Sequence, residues 1–250
     1  MAWHSIHLKK RETVKASADD ENGVIRESIT SIEQKLADLG YVLKINTDFQ
    51  EFRRHLSEIG MYDSPIFDPD EHDLTRDAFW LQVIDSHGNT IACHAERVFT
   101  CADFVSEKVE TDQIWFSRGV GIETQKWRTK VNHPPIVLRG RVSLAGSMFV
   151  DRQHRGTGVS LYLPYLSRSI CLDTYATDWN TGLVRDNILN SRIPTLYYGY
   201  PRTALLFSGT LPRSTGPFQD IHLCWISREE SIEKIRELSS HPRYPLNLAR

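Results

Sequence analysis

Between Phe149 and Leu163 the sequence reads FVDRQHRGTGVSLYL, an apolar run broken by Gly156 and Gly158 and then resumed. Arg152, His154 and Arg155 crowd the break. A strand that feeds a glycine turn and then a helix is suited to an anion. The first N–H groups of a helix have no intrahelical partner, and the helix dipole adds positive partial charge there. Glycine lets the backbone approach an anion closely and adopt conformations closed to other residues. The basic side chains would add charge at the rim. The competing reading is a plain surface turn between a strand and a helix. Two phosphate patterns are excluded. No lysine follows the glycines, as Walker A requires, and Leu161 stands where the dinucleotide fingerprint needs a third glycine.

Gln153-His154-Arg155-Gly156-Thr157-Gly158, preceded by Met148-Phe149-Val150, fits Gln-x-x-Gly-x-Gly. It resembles the acyl-CoA pyrophosphate loop of the GCN5-related N-acetyltransferase (GNAT) family. A second match is DNILNSRIPTLYYGYPR, which offers Asn187 or Asn190, the pair Tyr197-Tyr198, and Gly199-Tyr200. Thr195 stands four residues before the glycine, where the family commonly has its tyrosine.

The resemblance implies an α/β (α+β) fold: a mixed, mostly antiparallel central sheet flanked by helices, here with an N-terminal helical extension. It also implies acetyl-CoA, or another acyl-CoA, as co-substrate. Met148, Phe149 and Val150 would lie along pantetheine and the thioester carbonyl. Gln153, His154, Arg155, Gly156, Thr157, Gly158 and Val159 would surround the pyrophosphate, with Asn187 across the cleft. An amine acceptor, small molecule or peptide, would attack the thioester directly, so no protein nucleophile is required. A base and an acid remain to be supplied. Glu96 is the first candidate base, with His94 on the same strand face and Glu123 and Asp186 as alternatives. Tyr197 is the candidate acid ahead of Tyr198. Two other functions stay open, a non-catalytic acyl-CoA-binding sensor of the same fold and an acyl-homoserine-lactone-type synthase.

These groups need elements to hold them. Met1 to Asp20 is polar and aperiodic and is expected to be mobile or loosely docked. Ile25, Ile29, Ile32, Leu36 and Leu39 then follow at spacings of four and three, predicting a helix that ends at Gly40. That stripe suits docking on the domain or a dimer seam. YVLKI reads as a strand, and Thr47 or Asp48 could cap a helix through FQEFRRHLSEIG. AFWLQVID and TIACHAERVFT flank SHGN as a hairpin. RVSLAGSMFVD is the strand before the glycine turn, and GVSLYLPYLSRSICLDTYA the helix after it, with Pro164 near its start. TGLVRDN, RTALLFSGTLP and DIHLCWIS are further strands, and REESIEKIRELSS a closing helix. The resulting divisions are 1–40, an acyltransferase-like unit over 41–228, and a helix and tail over 229–250. Residues 101–137 carry Trp115, Phe116 and Trp127 and read as an ordered insertion. Its aromatics either wall the acceptor side, with Glu123 steering a cationic amine, or anchor a long loop or a dimer contact.

Composition narrows the partners. A formal net charge of −2 gives no global case for nucleic acid or an anionic membrane. Cys93, Cys101, Cys171 and Cys224 form no C-x-x-C pair and read as buried free thiols in a reducing compartment. No stretch reads as a signal peptide or membrane span, so the expected location is cytoplasmic. The acidic cluster Asp68, Asp70, Glu71 and Asp73 lacks the glycine and distal glutamate of an EF-hand and reads as a solvated loop. His222-Leu-Cys224 alternates like metal ligands, but core packing is the simpler reading and no metal is expected. A homodimer is possible.

Overall fold

The computed structural model describes residues 3–62, 64–117, 128–130, 135–214 and 216–240. The order is α1 (Trp3–Asp38), β1 (Val42–Asn46), α2 (Phe49–Glu58), β2 (Ala78–Ile84), β3 (Thr90–Cys101), β4 (Arg128–Lys130), β5 (Gly140–Val150), α3 (Val159–Thr174), β6 (Trp179–Arg185), α4 (Asp186–Asn190), α5 (Ile193–Leu196), β7 (Arg202–Gly209), β8 (Gln219–Ser227) and α6 (Arg228–Ser240). The strands form one mixed sheet of order β1-β2-β3-β5-β6-β8-β7-β4. Every pairing is antiparallel but β5 with β6, which α3 joins as a crossover. The expected α+β fold, a mostly antiparallel sheet flanked by helices, is therefore present.

Side-chain alternation gives the sheet two apolar faces. One packs Cys93, Ala95 and Phe99 of β3 with Leu144 of β5, Phe52 of α2 and the loop residue Phe67. The other packs Ala92 and Val98 of β3 with α1, α3 and α6. Asp48 is the residue that caps α2, its carboxylate accepting from the N–H groups of Gln50 and Glu51.

The N-terminal helix begins well before the expected stripe, α1 running unbroken from Trp3. Ile25, Ile32 and Leu36 are fully buried in the cluster with α3 and α6, so the stripe docks on the chain's own domain. Leu39 lies past the helix end and is exposed. The stripe was made by periodicity alone, which cannot see where the helix stops. In the insertion, a wide helical turn spans Val105–Val109, and Phe104, Val105, Val109, Ile114 and Trp115 join the core. No described helix is long and apolar enough to cross a membrane.

Candidate active site

A parting of the two parallel strands builds the site. β5 and β6 pair from Val142↔Trp179 to Ala145↔Gly182 and no further. Beyond that row, Gly146 to Val150 keep only β3 as neighbour, and Leu183 to Arg185 keep only β8. The register with β3 also slips: Ala95 faces Gly146, whereas Cys93 faces Phe149. Three steps on β5 thus oppose two on β3, a bulge. Ser147 sits in it at φ +48°, and its carbonyl accepts from the Cys93 thiol. Gly146 is required by contact, since a Cβ there would lie 2.8 Å from the Phe67 ring. Bulge and parting leave backbone groups of β5 facing a cleft instead of a strand.

β5 ends in the loop that the sequence singled out. Asp151 accepts from the N–H of Gln153 and caps a short turn over Arg152–His154. Gly156 and Gly158 stand at φ +84° and +94°, the left-handed region that favours glycine. Gly158 caps α3, and its carbonyl takes the N–H groups of both Leu161 and Tyr162. Among the described residues, no acceptor meets the N–H groups of Gly156, Thr157, Gly158, Val159 or Ser160. That leaves a run of five donors at the positive end of a 16-residue helix. The loop side chains are partly committed elsewhere: Tyr41 hydrogen-bonds His154 Nδ1 at 3.0 Å, Arg155 Nε donates to the Val150 carbonyl, and Thr157 Oγ1 donates to the His154 carbonyl. Gln153 is exposed.

The two tyrosines separate. Tyr197 packs into the cluster of α1, α3 and α6. Tyr198 reaches across the cleft, its hydroxyl 3.8 Å from Met148 Sδ on β5. Burial pushes its phenol up to about 12. Asn187 is exposed on α4. Beside it Asp186, at the cleft end of β6, accepts from His222 Nε2 of β8 at 2.7 Å. Asp220 adds a second carboxylate, with all three donor atoms within 4.8 Å, and accepts from Ser208 Oγ. His222 therefore faces polar partners, while Cys224, two residues on, is buried in the core as expected.

Several site expectations need correction. Glu96 is 2% exposed and faces α3, where Ser167 Oγ donates to its Oε1 at 2.9 Å and His94 Nε2 lies 3.5 Å away. Strand alternation put His94 and Glu96 on one face, and α3 covers that face. Trp115 is likewise interior, 1% exposed, with its carbonyl accepting from His72. It anchors the insertion and does not wall a substrate. Phe116 is half-buried beneath the Arg213 guanidinium, and Glu123 and Trp127 lie outside the described residues. Asp68 is no solvated loop residue: it is buried and paired with Arg53 and Arg213. That pairing lines a polar depression of about 700 Å³ between α2 and the β7–β8 connection, away from the parted strands. Arg213 lies 145 residues downstream of Asp68, a separation that no local pattern bridges.

One interior group went unnoticed in the sequence. Arg168 of α3 is 1% exposed, and its Nη2 donates to the Tyr198 carbonyl at 2.7 Å. The available signal was a lone arginine in the otherwise small and apolar stretch YLSRSICL.

No family model and no curated protein match the sequence. Among solved structures, the chain is similar to NAA60 of Arabidopsis thaliana in complex with acetyl-CoA, at 11% identity and a TM-score of 0.45, over 76% of this chain and 99% of that one. It is similar to spermidine N-acetyltransferase from Vibrio cholerae at 9% identity and a TM-score of 0.47, over 77% and 97%. It is also similar to the CoA-dependent acyl-homoserine lactone synthase BjaI, at 15% identity and a TM-score of 0.39, over 76% of each chain.

Proposed function

We propose that the chain is an acyl-CoA-dependent N-acyltransferase of the GCN5-related type, passing an acyl group directly to an amine. One observation carries this reading. Parallel strands part beside a bulge, and the parted strand runs straight into five unpaired N–H groups at a helix N-terminus. The parting suits an extended, amide-bearing chain, and the donor run suits a pyrophosphate; CoA joins those two pieces in one molecule. The acyl thioester supplies an activated carbonyl, so the protein needs only to bind, orient and move protons.

Each group then has a task. The N–H groups of Gly156 to Ser160 hold the pyrophosphate. The β5 edge at Met148 and Phe149 aligns pantetheine and donates to the carbonyl oxygen as it gains charge. The Tyr198 phenol, poised at Met148, delivers a proton to the departing sulfur. The Asp186–His222 pair, at the cleft end of β6, takes the proton from the acceptor amine in place of buried Glu96. Acetyl-CoA is the first acyl donor to try, with a small-molecule or peptide amine as acceptor.

The test is calorimetric titration of CoA and acetyl-CoA into the protein. Gly156→Glu and Gly158→Glu, checked for folding by circular dichroism, place bulk and negative charge on the donor run. Affinity is expected to fall at least ~100-fold, as loss of a charge-assisted anion site implies. Unchanged affinity in both folded variants overturns the reading. Binding without thiol release across a broad amine panel would assign a sensor instead.

A further inference from the structure

We propose that Arg168 is a positioning residue that sets the Tyr198 phenol in the cleft by holding the Tyr198 carbonyl from inside the protein. The proposal rests on the acyltransferase reading and deepens it.

Arg168 is an expensive residue at its site. Its guanidinium is fully buried, lying 5.4 Å from the Tyr165 ring centroid and 5.0 Å from that of Tyr200. Nε and Nη1 have no hydrogen-bond partner among the described residues, and neither has Oε2 of Glu96, the buried carboxylate facing the same helix. Neighbouring α3 positions at the same depth hold Leu166, Ile170 and Leu172. An apolar residue would pack here without desolvating a charge. What the guanidinium adds, beside its interaction with the Tyr200 hydroxyl, is a strong, directed hydrogen bond from Nη2 to the Tyr198 carbonyl.

That carbonyl needs an outside hold. It follows α5, a helix of four residues that is preceded by Arg192 in a left-handed conformation and carries Pro194, which has no N–H. The local bonds available are few: the N–H groups of Tyr197 and Tyr198 both turn to the Ile193 carbonyl, and that of Tyr200 to Pro194. The Arg168 bond fixes a residue whose side chain crosses to Met148 on the far side of the cleft. Loss of the hold lets the hydroxyl drift by a distance on the order of 1 Å, enough to impair a proton transfer that depends on reach.

A double-mutant cycle in a thiol-release assay with saturating acetyl-CoA tests this. Arg168→Met is expected to lower kcat roughly tenfold or more while the KM for acetyl-CoA changes less than about twofold. In a Tyr198→Phe background the same substitution is expected to lower kcat by less than about twofold, because there is no longer a phenol to position. Arg168→Gln, which keeps an N–H donor, is expected to recover part of the loss. If Arg168→Met does not fold, Arg168→Gln and Arg168→Lys run the same cycle. Equal losses in both backgrounds, or an unchanged kcat, overturn the positioning role while Tyr198→Phe still shows its own loss. Full activity of Tyr198→Phe overturns the acid role and this inference with it. A wild-type protein without turnover overturns the acyltransferase reading itself.

Discussion

Tyr197 and Tyr198 are adjacent, and only their directions distinguish them. Successive side chains after a helix end diverge, so one enters the α1–α3–α6 core and the other the cleft. Burial holds the Tyr198 phenol up near 12, which keeps its proton in place across the neutral range. Tyr198→Phe is expected to reduce kcat roughly a hundredfold, the scale of general acid catalysis, with acetyl-CoA affinity unchanged. Tyr197→Phe is expected to leave kcat within about twofold. Steady-state kinetics of both variants decide it, and the reverse pattern moves the role one residue back. The sequence offered both residues and a preference for Tyr197, because register counted along the chain does not report which way a short, proline-bearing helix turns its end.

At the scale of the element, the bulge in β5 is what makes a cleft from a sheet. Its letters, Ala-Gly-Ser inside an otherwise apolar strand, are a visible sign, since glycine within a strand commonly marks a bulge or a close approach. The partner in that approach, Phe67, lies on a loop 79 residues earlier. A methyl group at Gly146 would sit 2.8 Å from that ring, so Gly146→Ala is expected to destabilise the protein by about 1–3 kcal/mol, as overpacking does. Gly146→Ala combined with Phe67→Leu is expected to regain part of that stability. Urea denaturation of the three variants measures it, and additive losses would mean that the ring is not the obstacle.

The whole molecule is held partly by groups that titrate. His72 donates to the Trp115 carbonyl and so ties the loop before β2 to the insertion. Arg97 reaches the same two segments, donating to the carbonyls of Ile66 and Ile114. Burial, reinforced by the like charge of Arg97 and opposed by Asp68, lowers the His72 pKa to about 4. The unfolded chain therefore binds a proton near pH 6.5 that the folded chain refuses until about pH 4. Stability is full above pH 6.5 and falls as the pH drops through that window, by on the order of 3 kcal/mol. The carboxylate of Asp68, itself lowered by Arg213 and Arg53 against the cost of burial, gives way only at lower pH. Urea midpoints measured at pH 7, 5.5 and 4.5 are expected to decline, and His72→Gln to flatten the decline. An identical slope in the variant would assign it to other groups.

The sequence by itself determined the elements and the loop. Periodicity marks the second half of α1, a cap marks α2, a polar turn marks the hairpin, and two glycines beside a basic turn mark the junction that ends β5, because these signals are written within a few residues of one another. The tertiary structure alone decided which groups meet. Glu96 and His94 have the chemistry of a base and the spacing of a shared face, but the face is the one that α3 covers. Asp68 reads as a surface acid until Arg213 arrives from the β7–β8 connection. Arg168 reads as a stray charge until the chain returns Tyr198 to it 30 residues later. The Glu96 and Arg168 contacts depend on the crossover that lays α3 against the sheet, and the Asp68 pair on the return of the β7–β8 connection to the loop before β2. Both join residues far apart in sequence, where composition and spacing carry no record of contact.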